Sequence, residues 1–301
     1  MKPEERRRIP VLIDTDIGDD VDDTAALIWL MNSPEFEIVG ITTVFGNTCE
    51  RADMVSELLH MKGLDDVPIA AGARQALIEP TRIDSPLQYG IMKEHNENIT
   101  AGGTISDAVE MILRKVREVE GLVILELGMM TNLSMAFLID PDTMKNARIV
   151  GMGGEFKDSL PEWNIKLDPE AARIVTDRAR HLVLFGLDVT RMCGIEEEDL
   201  KKLCKSDLSK HFFEGVKVFR DKTGYPITLH DVLPAVWLLD PKVAKMDHCD
   251  YTVELSGNIS RGAIIKKKDA YRNTRVAEKD FLYAETIDTG RFFRIFKERF
   301  T

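Results

Sequence analysis

An acidic stretch near the amino terminus is the part of this 301-residue chain whose residues are best suited to chemistry. It holds six carboxylates within ten residues, namely Asp14, Asp16, Asp19, Asp20, Asp22 and Asp23. Like charges this close repel one another unless a cation lies among them. Carboxylate oxygens are the ligands that Ca²⁺ and Mg²⁺ prefer, so the stretch predicts a metal or substrate site. Helix capping alone would account for one or two of these acids, not six.

The residues on either side place the acids at one edge of a predicted sheet. Residues 9–13 form an apolar run typical of a buried strand, and residues 24–31 are predicted to form a helix. The acids therefore occupy the loop after the first strand and the first turn of the first helix. In open α/β sheets this edge is where ligands bind. An EF-hand is disfavoured, because it would need glycine and glutamate where Asp19 and Ala25 stand.

The rest of the chain alternates between apolar, β-branched runs and segments with a helical period. Further strands are expected at 36–44, 68–70, 121–127, 147–152 and 181–187. Helices are expected at 48–62, 106–119, 133–139, from 168 onwards, through much of 195–240 and at 292–300. Residues 251–255 and 259–265 alternate around Gly257-Asn258, which indicates an antiparallel hairpin.

This order of elements predicts an α/β fold with a mostly parallel, Rossmann-like open sheet flanked by helices and a late antiparallel hairpin. We see no linker, repeat or low-complexity segment, so we expect one domain over residues 1–301. Residues 72–103 show no clear period, and a segment this long without regular structure is expected to cover the site.

Composition restricts the class of partner. The formal net charge of −11 argues against a nucleic acid or an anionic membrane as a partner. No apolar run approaches the roughly 20 residues that a membrane span needs, and residues 1–8 do not resemble a signal peptide. The four cysteines are scattered without a C-x-x-C pair, which is typical of reduced thiols in a cytoplasmic protein.

Three further places offer polar groups where predicted strands or helices meet loops. They are Asn47, the pair Glu162 and Asn164, and the pair His230 and Asp231. Each has an ordinary explanation by itself, as a turn residue, a solvated loop or a helix cap. Because all of them fall at element ends, together they favour one binding site built from several loops.

Six groups of residues, spread over most of the chain, carry a resemblance to a known family. They are Asp14-Thr15-Asp16 with Gly18 and Asp22-Asp23, residues 42–47, Leu127-Gly128 with Thr131-Asn132, Met152-Gly153-Gly154, Glu162-Trp163-Asn164 with residues 168–172, and His230-Asp231. In this order they resemble the nucleoside hydrolase family, the inosine-uridine preferring nucleoside N-ribohydrolases. The resemblance implies an enzyme of nucleoside salvage that hydrolyses the N-glycosidic bond of ribonucleosides to ribose and free base.

The resemblance also implies a site built around a tightly bound Ca²⁺. The implied ligands are the carboxylates of Asp16, Asp23 and Asp231 and the main-chain carbonyl of Leu127. The residues implied to hold the ribose are Asp22, Asn47, Met152, Glu162 and Asn164. Asp16 would act as general base on a calcium-bound water. His230 is the candidate acid for the departing base, since histidine titrates near neutrality. The partner would be a small ribonucleoside, and the enzyme a homodimer or homotetramer.

Three departures from the family pattern bear on these assignments. The acidic loop is two residues longer, so Asp20 is an alternative to Asp22 or Asp23. A His-Gly pair that many members carry is replaced by residues 87–90, with His95 later in the chain. An asparagine expected between Gly154 and Glu162 is absent, and Asp158 and Ser159 are the candidates to replace it.

Two other hypotheses remain open on the sequence alone. Asp14-x-Asp16 after a strand also resembles the nucleophile and acid of haloacid-dehalogenase-type phosphohydrolases, although we find no convincing second acidic pair. A ribose- or nucleoside-binding protein without catalysis is the second alternative, motivated by the missing His-Gly pair. The preferred base is not readable, and base contacts are expected from residues 72–103 and from the surroundings of Tyr225, Tyr271 and Arg275.

Overall fold

The computed structural model of the chain describes residues 8–91, 105–248, 250–266 and 280–300. The strands are β1 Ile9–Thr15, β2 Phe36–Thr43, β3 Ile69–Ala71, β4 Val123–Glu126, β5 Arg148–Met152, β6 His181–Phe185, β7 Ala244–His248, β8 Tyr251–Val253, β9 Ile264–Lys266 and β10 Asp280–Ile287. The helices are α1 Asp22–Met31, α2 Thr48–Lys62, α3 Ile105–Glu118, α4 Thr131–Ile139, α5 Pro141–Met144, α6 Trp163–Leu167, α7 Pro169–Arg178, α8 Leu187–Thr190, α9 Glu197–Leu203, α10 Asp207–Thr223, α11 Val232–Leu239 and α12 Thr289–Arg299.

The main sheet is open and mostly parallel. Its eight strands lie in the order β3-β2-β1-β4-β5-β6-β10-β7. All neighbouring pairs are parallel except β10 and β7. The chain moves outward from β1 through β2 to β3 and then returns to the other side of β1 as β4. This reversal opens a crevice at the carboxyl ends of β1 and β4, where ligands bind in such sheets. The predicted fold class is confirmed.

Apolar side chains cover both faces of the sheet, because successive residues of a strand point to opposite faces. Val11 and Ile13 of β1 and Leu125 of β4 belong to one core, which also takes buried side chains from α1, α2, α10, α11 and α12. Leu12 and Ile124 belong to a second core with α3, α4 and α7. Strands buried on both faces are continuous apolar runs in sequence, which is why the central strands were predictable.

The helix starts differ in how they are capped. Asp168 caps α7 as predicted, since its side chain accepts a hydrogen bond from the backbone N–H of Ala171 at 3.0 Å and Pro169 follows. Asn47 stands at the cap position of α2 without a capping hydrogen bond. Val21 occupies the cap position of α1, so Asp22 and Asp23 lie inside its first turn. Their carboxylates are therefore not explained by capping.

The carboxyl-terminal part differs from the sequence prediction in two ways. Strands β7 and β10, at one edge of the sheet, were not predicted; β7 is largely exposed and carries no apolar run. The antiparallel hairpin exists as β8 paired with β9, but its second strand begins at Ile264 rather than at 259. The residues before it also contact the helical layer: Arg261 binds Glu170 of α7 at 2.8 Å, and Gly262 lies against the backbone of Lys166 in α6.

The segment after β3 crosses the acidic loop. The backbone N–H of Gln88 donates to the carbonyl of Gly18 at 2.9 Å, and a 3₁₀ turn follows at Tyr89–Ile91. The rest of the unpatterned stretch, with His95, and the candidate base contacts Tyr271 and Arg275 lie outside the described residues. Within the described residues, no helix has the length and apolar character needed to span a membrane.

Asn132 connects three elements below the acidic loop and gives a test of the fold. Its amide donates to Asp14 at 2.8 Å and to the carbonyl of Thr43 at 3.1 Å, and accepts from the N–H of Ala73 at 2.9 Å. Asn132→Ala removes all three hydrogen bonds and leaves the buried N–H of Ala73 without its acceptor, so we expect the free energy of unfolding to fall by about 3 kcal/mol. Urea unfolding measures this. The exposed Asn146→Ala is the control, expected within about 0.5 kcal/mol of the parent; equal effects of the two substitutions would contradict the assignment.

Candidate active site

A cavity of about 550 Å³ opens at the carboxyl ends of the central strands. Nine of the ten site residues predicted from the sequence line it: Asp16, Asp22, Asp23, Leu127, Met152, Glu162, Asn164, His230 and Asp231. They come from the ends of β1, β4 and β5 and from the starts of α1, α6 and α11. Residues almost 220 positions apart in sequence therefore meet in one cavity.

Three carboxylates in the cavity are arranged as a metal site. Asp22, Asp23 and Asp231 are buried, and an oxygen of each lies within 4.8 Å of the others. Burial, followed by the charge of Asp22, raises the pKa of Asp231 well above its ordinary value. Burial also raises the pKa of Asp23 to about 6. Buried like charges are costly unless a cation joins them, and this all-oxygen set fits a hard divalent cation.

Asp16 lies beside this cluster, immediately after β1. Burial, and next the charge of Asp23, raises the pKa of Asp16 well above its ordinary value. Asp23 in turn accepts a hydrogen bond from the hydroxyl of Thr15, the last residue of β1. This hydrogen bond joins the end of β1 to the start of α1, and Asp16 and Asp23 both line the cavity.

Asp14, the first carboxylate of the acidic stretch, has a different role. It is a residue of β1 with no solvent exposure and does not line the cavity. Its Oδ1 accepts hydrogen bonds from the hydroxyl of Thr42 at 2.6 Å and from the amide of Asn132 at 2.8 Å. A group enclosed in this way cannot attack a substrate as a nucleophile, so Asp14 holds neighbouring elements together.

The turn that begins α6 also lines the cavity. The carboxylate of Glu162 accepts hydrogen bonds from the backbone N–H groups of Gly154 at 2.9 Å, Asn164 at 2.9 Å and Ile165 at 3.2 Å. Burial is the main influence on Glu162 and raises the pKa of this carboxyl. The amide of Asn164 donates to the carbonyl of Leu127 at 2.7 Å. The turn is thus joined to the loop after β4.

His230 lies at the cavity next to Asp231. Its Nδ1 is 2.8 Å from the hydroxyl of Thr190. Burial, followed by the charge of Arg191, lowers the pKa of His230 to about 4. This pKa lies below the neutral range on which the sequence argument relied, so burial favours the neutral imidazole. It can still donate one N–H hydrogen bond in that form.

The remaining sequence candidates lie elsewhere. Asn47 is half-buried and does not line the cavity, although Phe45 and Gly46 beside it do. Asp20 lines the cavity, but its carboxylate accepts from the backbone N–H of Val21 at 2.6 Å and it is outside the three-carboxylate cluster. Asp158 and Ser159, the candidates for the missing asparagine, are also outside the cavity lining.

Comparison with known proteins was made by sequence and by structure. The family model described as inosine-uridine preferring nucleoside hydrolase matches residues 11–294. This chain belongs to that family. It is 32% identical to Uridine nucleosidase 1 of Arabidopsis thaliana, over 77% of this chain and 74% of the relative. It is 29% identical to the pyrimidine-specific ribonucleoside hydrolase RihA of Salmonella paratyphi B, over 85% and 88%.

A solved plant nucleoside hydrolase has the same fold as this member of the family. The two share 26% identity with a TM-score of 0.84, over 97% of this chain and 98% of the solved chain. The resemblance inferred from the sequence motifs is confirmed, and the chain is a nucleoside hydrolase. The haloacid-dehalogenase alternative is thereby set aside, in agreement with the enclosed position of Asp14, which that chemistry would use as its nucleophile.

One residue at this nucleoside hydrolase site was missed by the sequence analysis: Arg51, which is buried beside the acidic loop. Gln88 is buried above that loop, in the segment that was expected to cover the site. Tyr225, around which base contacts were expected, lines the cavity together with Phe45 and Trp163. Arg51 carries a weak sequence signal, since it interrupts the helical face of α2 with a charge. Gln88 and Tyr225 lie in stretches whose relation to the acidic loop only the fold shows.

The acid cluster gives a prediction about stability. An acid whose pKa is raised by folding destabilises the folded state as pH rises through its ordinary value, because the unfolded chain releases its proton first. Without metal, Asp231→Asn should therefore raise the free energy of unfolding by about 1–3 kcal/mol at about pH 8 and by less at about pH 4.5. Urea unfolding in the presence of a chelator measures this.

The exposed Asp142→Asn serves as the control for Asp231→Asn and should change stability at neither pH by more than about 0.5 kcal/mol. A chelated Asp231→Asn protein that is less stable than the parent at alkaline pH would show that the carboxylate already has a compensating partner, contrary to the cluster as described.

Proposed function

We propose that this protein uses Ca²⁺ to hydrolyse the N-glycosidic bond of ribonucleosides, with water and nucleoside giving ribose and the free base. The observation that carries the proposal is a juxtaposition: a buried acid cluster and the turn of Glu162 and Asn164 line the same cavity. Family membership supplies the class of reaction. The cavity supplies the acids together with polar groups that would bind a sugar.

The proposed calcium ligands are the carboxylates of Asp16, Asp23 and Asp231 and the main-chain carbonyl of Leu127. Calcium accepts six to eight oxygens in flexible geometry, which suits carboxylates drawn from separate loops. Asp22, part of the three-carboxylate cluster, adds negative charge that favours the cation. When bound, the ion would acidify an adjacent water and orient the ribose hydroxyls.

The side chains around the cluster then have separate tasks. Asp16 would take the proton of the attacking water on its carboxylate, since burial that raises its pKa makes it a stronger base. Glu162, Asn164 and Asp22 would hold the ribose hydroxyls. The backbone N–H groups that surround Glu162 fix its carboxylate before substrate arrives, so the turn is preorganised for a sugar.

The departing base would meet a different wall of the cavity. His230 would donate a hydrogen bond from its neutral imidazole, with Nδ1 oriented by Thr190. Trp163 is half exposed, and its ring meets that of Phe45 edge to face at 6.5 Å, so together they offer flat apolar surface to a planar base. Asn47 and Met152 remain as predicted ribose contacts, on the resemblance alone.

Uridine is the substrate we propose to test first, because curated relatives include uridine nucleosidases and a pyrimidine-specific ribonucleoside hydrolase. A non-specific ribonucleoside hydrolase of Salmonella newport is also 28% identical, so purine nucleosides belong in the same test. The single-domain organisation over residues 1–301, the homodimeric or homotetrameric state and the cytoplasmic location expected from the sequence stay predictions.

The central test measures sugar release from a panel of purine and pyrimidine ribonucleosides. We expect ribose and free base in equal amounts, loss of release after chelation and recovery when Ca²⁺ is added back. No release from a folded, calcium-loaded protein, combined with thermal stabilisation by ribose, would favour the non-catalytic binding protein. Phosphate release from an aryl phosphate would contradict the proposed reaction.

Asp16→Asn tests the assignment of the general base. We expect kcat to fall by about 10³-fold or more, because the proton acceptor and one metal ligand are both lost, while the circular dichroism spectrum is unchanged. Asp65→Asn, an exposed carboxylate on the loop after α2, is the control and should keep full activity. An Asp16→Asn enzyme with more than about one tenth of the parent kcat would exclude Asp16 as the base.

A further inference from the structure

Arg51 is a buried cation inside the acidic region. It lies in α2, one helical turn after Asn47, and only 1% of the residue is exposed. Among the described residues it is the one buried lysine or arginine. Lysine and arginine are rarely fully buried without partners that satisfy them. The hydrogen-bond partners of Arg51 therefore indicate its role.

The guanidinium of Arg51 is hydrogen-bonded to the loop after β1 and to the loop after β2. Its Nε donates to the carbonyl of Phe45 at 2.7 Å. Its Nη1 donates to the carbonyl of Ile17 at 2.6 Å and to the carbonyl of Asp16. Its Nη2 donates to the carboxylate of Asp19 at 2.7 Å. Four of the five N–H groups of an arginine are engaged in this way.

Asp19 is held from a second side by the segment after β3. Its Oδ1 accepts from the backbone N–H of Leu87 at 3.1 Å, and the amide of Gln88 donates to the carbonyl of Asp20 at 2.6 Å. Between Asp16 and Asp19 the chain turns at Gly18, whose φ of +115° lies in the left-handed region that favours glycine. Asp19 and Asp20 are therefore held in place by hydrogen bonds from Arg51 of α2 and from residues 87–88.

We propose that Arg51 is a positioning residue for Asp16, and that Asp19 is the anion paired with Arg51 rather than a ligand of the metal. By fixing the carbonyls of Asp16 and Ile17, the guanidinium sets the direction in which the Asp16 carboxylate leaves the chain. The proposal rests on the proposed function, since Asp16 is assigned there as metal ligand and base.

Geometry separates this role from two simpler ones. A substrate contact is disfavoured because Arg51 has a single N–H left to offer, and its Cζ already lies 5.2 Å from the ring centre of Phe45. A purely electrostatic role as counter-ion would be served equally by lysine. The planar fork that reaches three carbonyls and a carboxylate cannot be reproduced by an ammonium group.

Arg51→Lys keeps the charge and removes the fork, so it separates position from charge. Calcium affinity of the chelated protein, measured by calorimetry, should fall about tenfold. At saturating Ca²⁺, kcat for the best nucleoside should also fall about tenfold with KM changed less than about threefold, because Glu162 and Asn164 stand on another loop. Loss of global stability alone would not lower kcat of the folded, calcium-saturated enzyme. The exposed Arg117→Lys is the matched control, with no change expected.

Asp19→Ala provides a second variant in case Arg51→Lys does not fold, since 44% of the Asp19 side chain is exposed. Asp19→Ala should weaken calcium binding about threefold or more. The double variant should bind calcium no more weakly than Arg51→Lys alone, because both substitutions break the same contact between Arg51 and Asp19. Asp142→Ala is the matched control.

The proposal would be overturned if Arg51→Lys kept the parental calcium affinity and kcat. It would also be overturned if the effects of Arg51→Lys and Asp19→Ala on calcium affinity were fully additive in the double variant. A parent protein that neither binds calcium nor splits nucleosides would instead overturn the proposed function.

Discussion

Repulsion among buried carboxylates is the constraint on which the site depends. Asp16, Asp22, Asp23 and Asp231 are buried around one cavity, and their neighbours' charges add to burial in making ionisation costly. A buried cluster of this kind strongly destabilises the folded state unless cations offset its negative charge. Among the residues that the structure describes, Arg51 is the one buried cation, and it lies beside these acids. The cluster also offers a set of oxygen ligands suited to a divalent ion. Without a cation, the cluster lowers the stability of the folded chain.

The strand order explains how acids from distant parts of the chain meet. β1 and β4 are neighbours at the point where the strand order reverses, so the loops after them diverge and leave a crevice. Asp16 follows β1 and Leu127 follows β4, while α11 brings Asp231 across the top. Asn164 then joins the two halves of the site by its hydrogen bond to the Leu127 carbonyl.

The departures of this chain from the family pattern are connected in space. Asp19 and Asp20, within the part of the acidic loop that the sequence analysis took to be lengthened, are held by Leu87 and Gln88, in the segment where it expected a His-Gly pair. The longer loop and the changed segment after β3 thus form one structural unit. This arrangement leaves Asp22 and Asp23 at the start of α1, within the three-carboxylate cluster, and removes the reason to replace them by Asp20.

The sequence alone determined the parallel α/β fold and the acidic motif, and nine of the ten site residues predicted from it line the cavity. These features depend on local patterns: apolar runs between helical periods, and acids at a strand end. Tertiary structure decided what depends on contacts across the chain. Burial moved the pKa of His230 away from neutrality, the core enclosed Asp14, and Arg51 became an internal partner of the acidic loop. Strand β7 escaped prediction because its pairing with β10, rather than its own residues, makes it a strand. Strand β10 carries the run Phe281-Leu282-Tyr283, a strand signal that was not assigned.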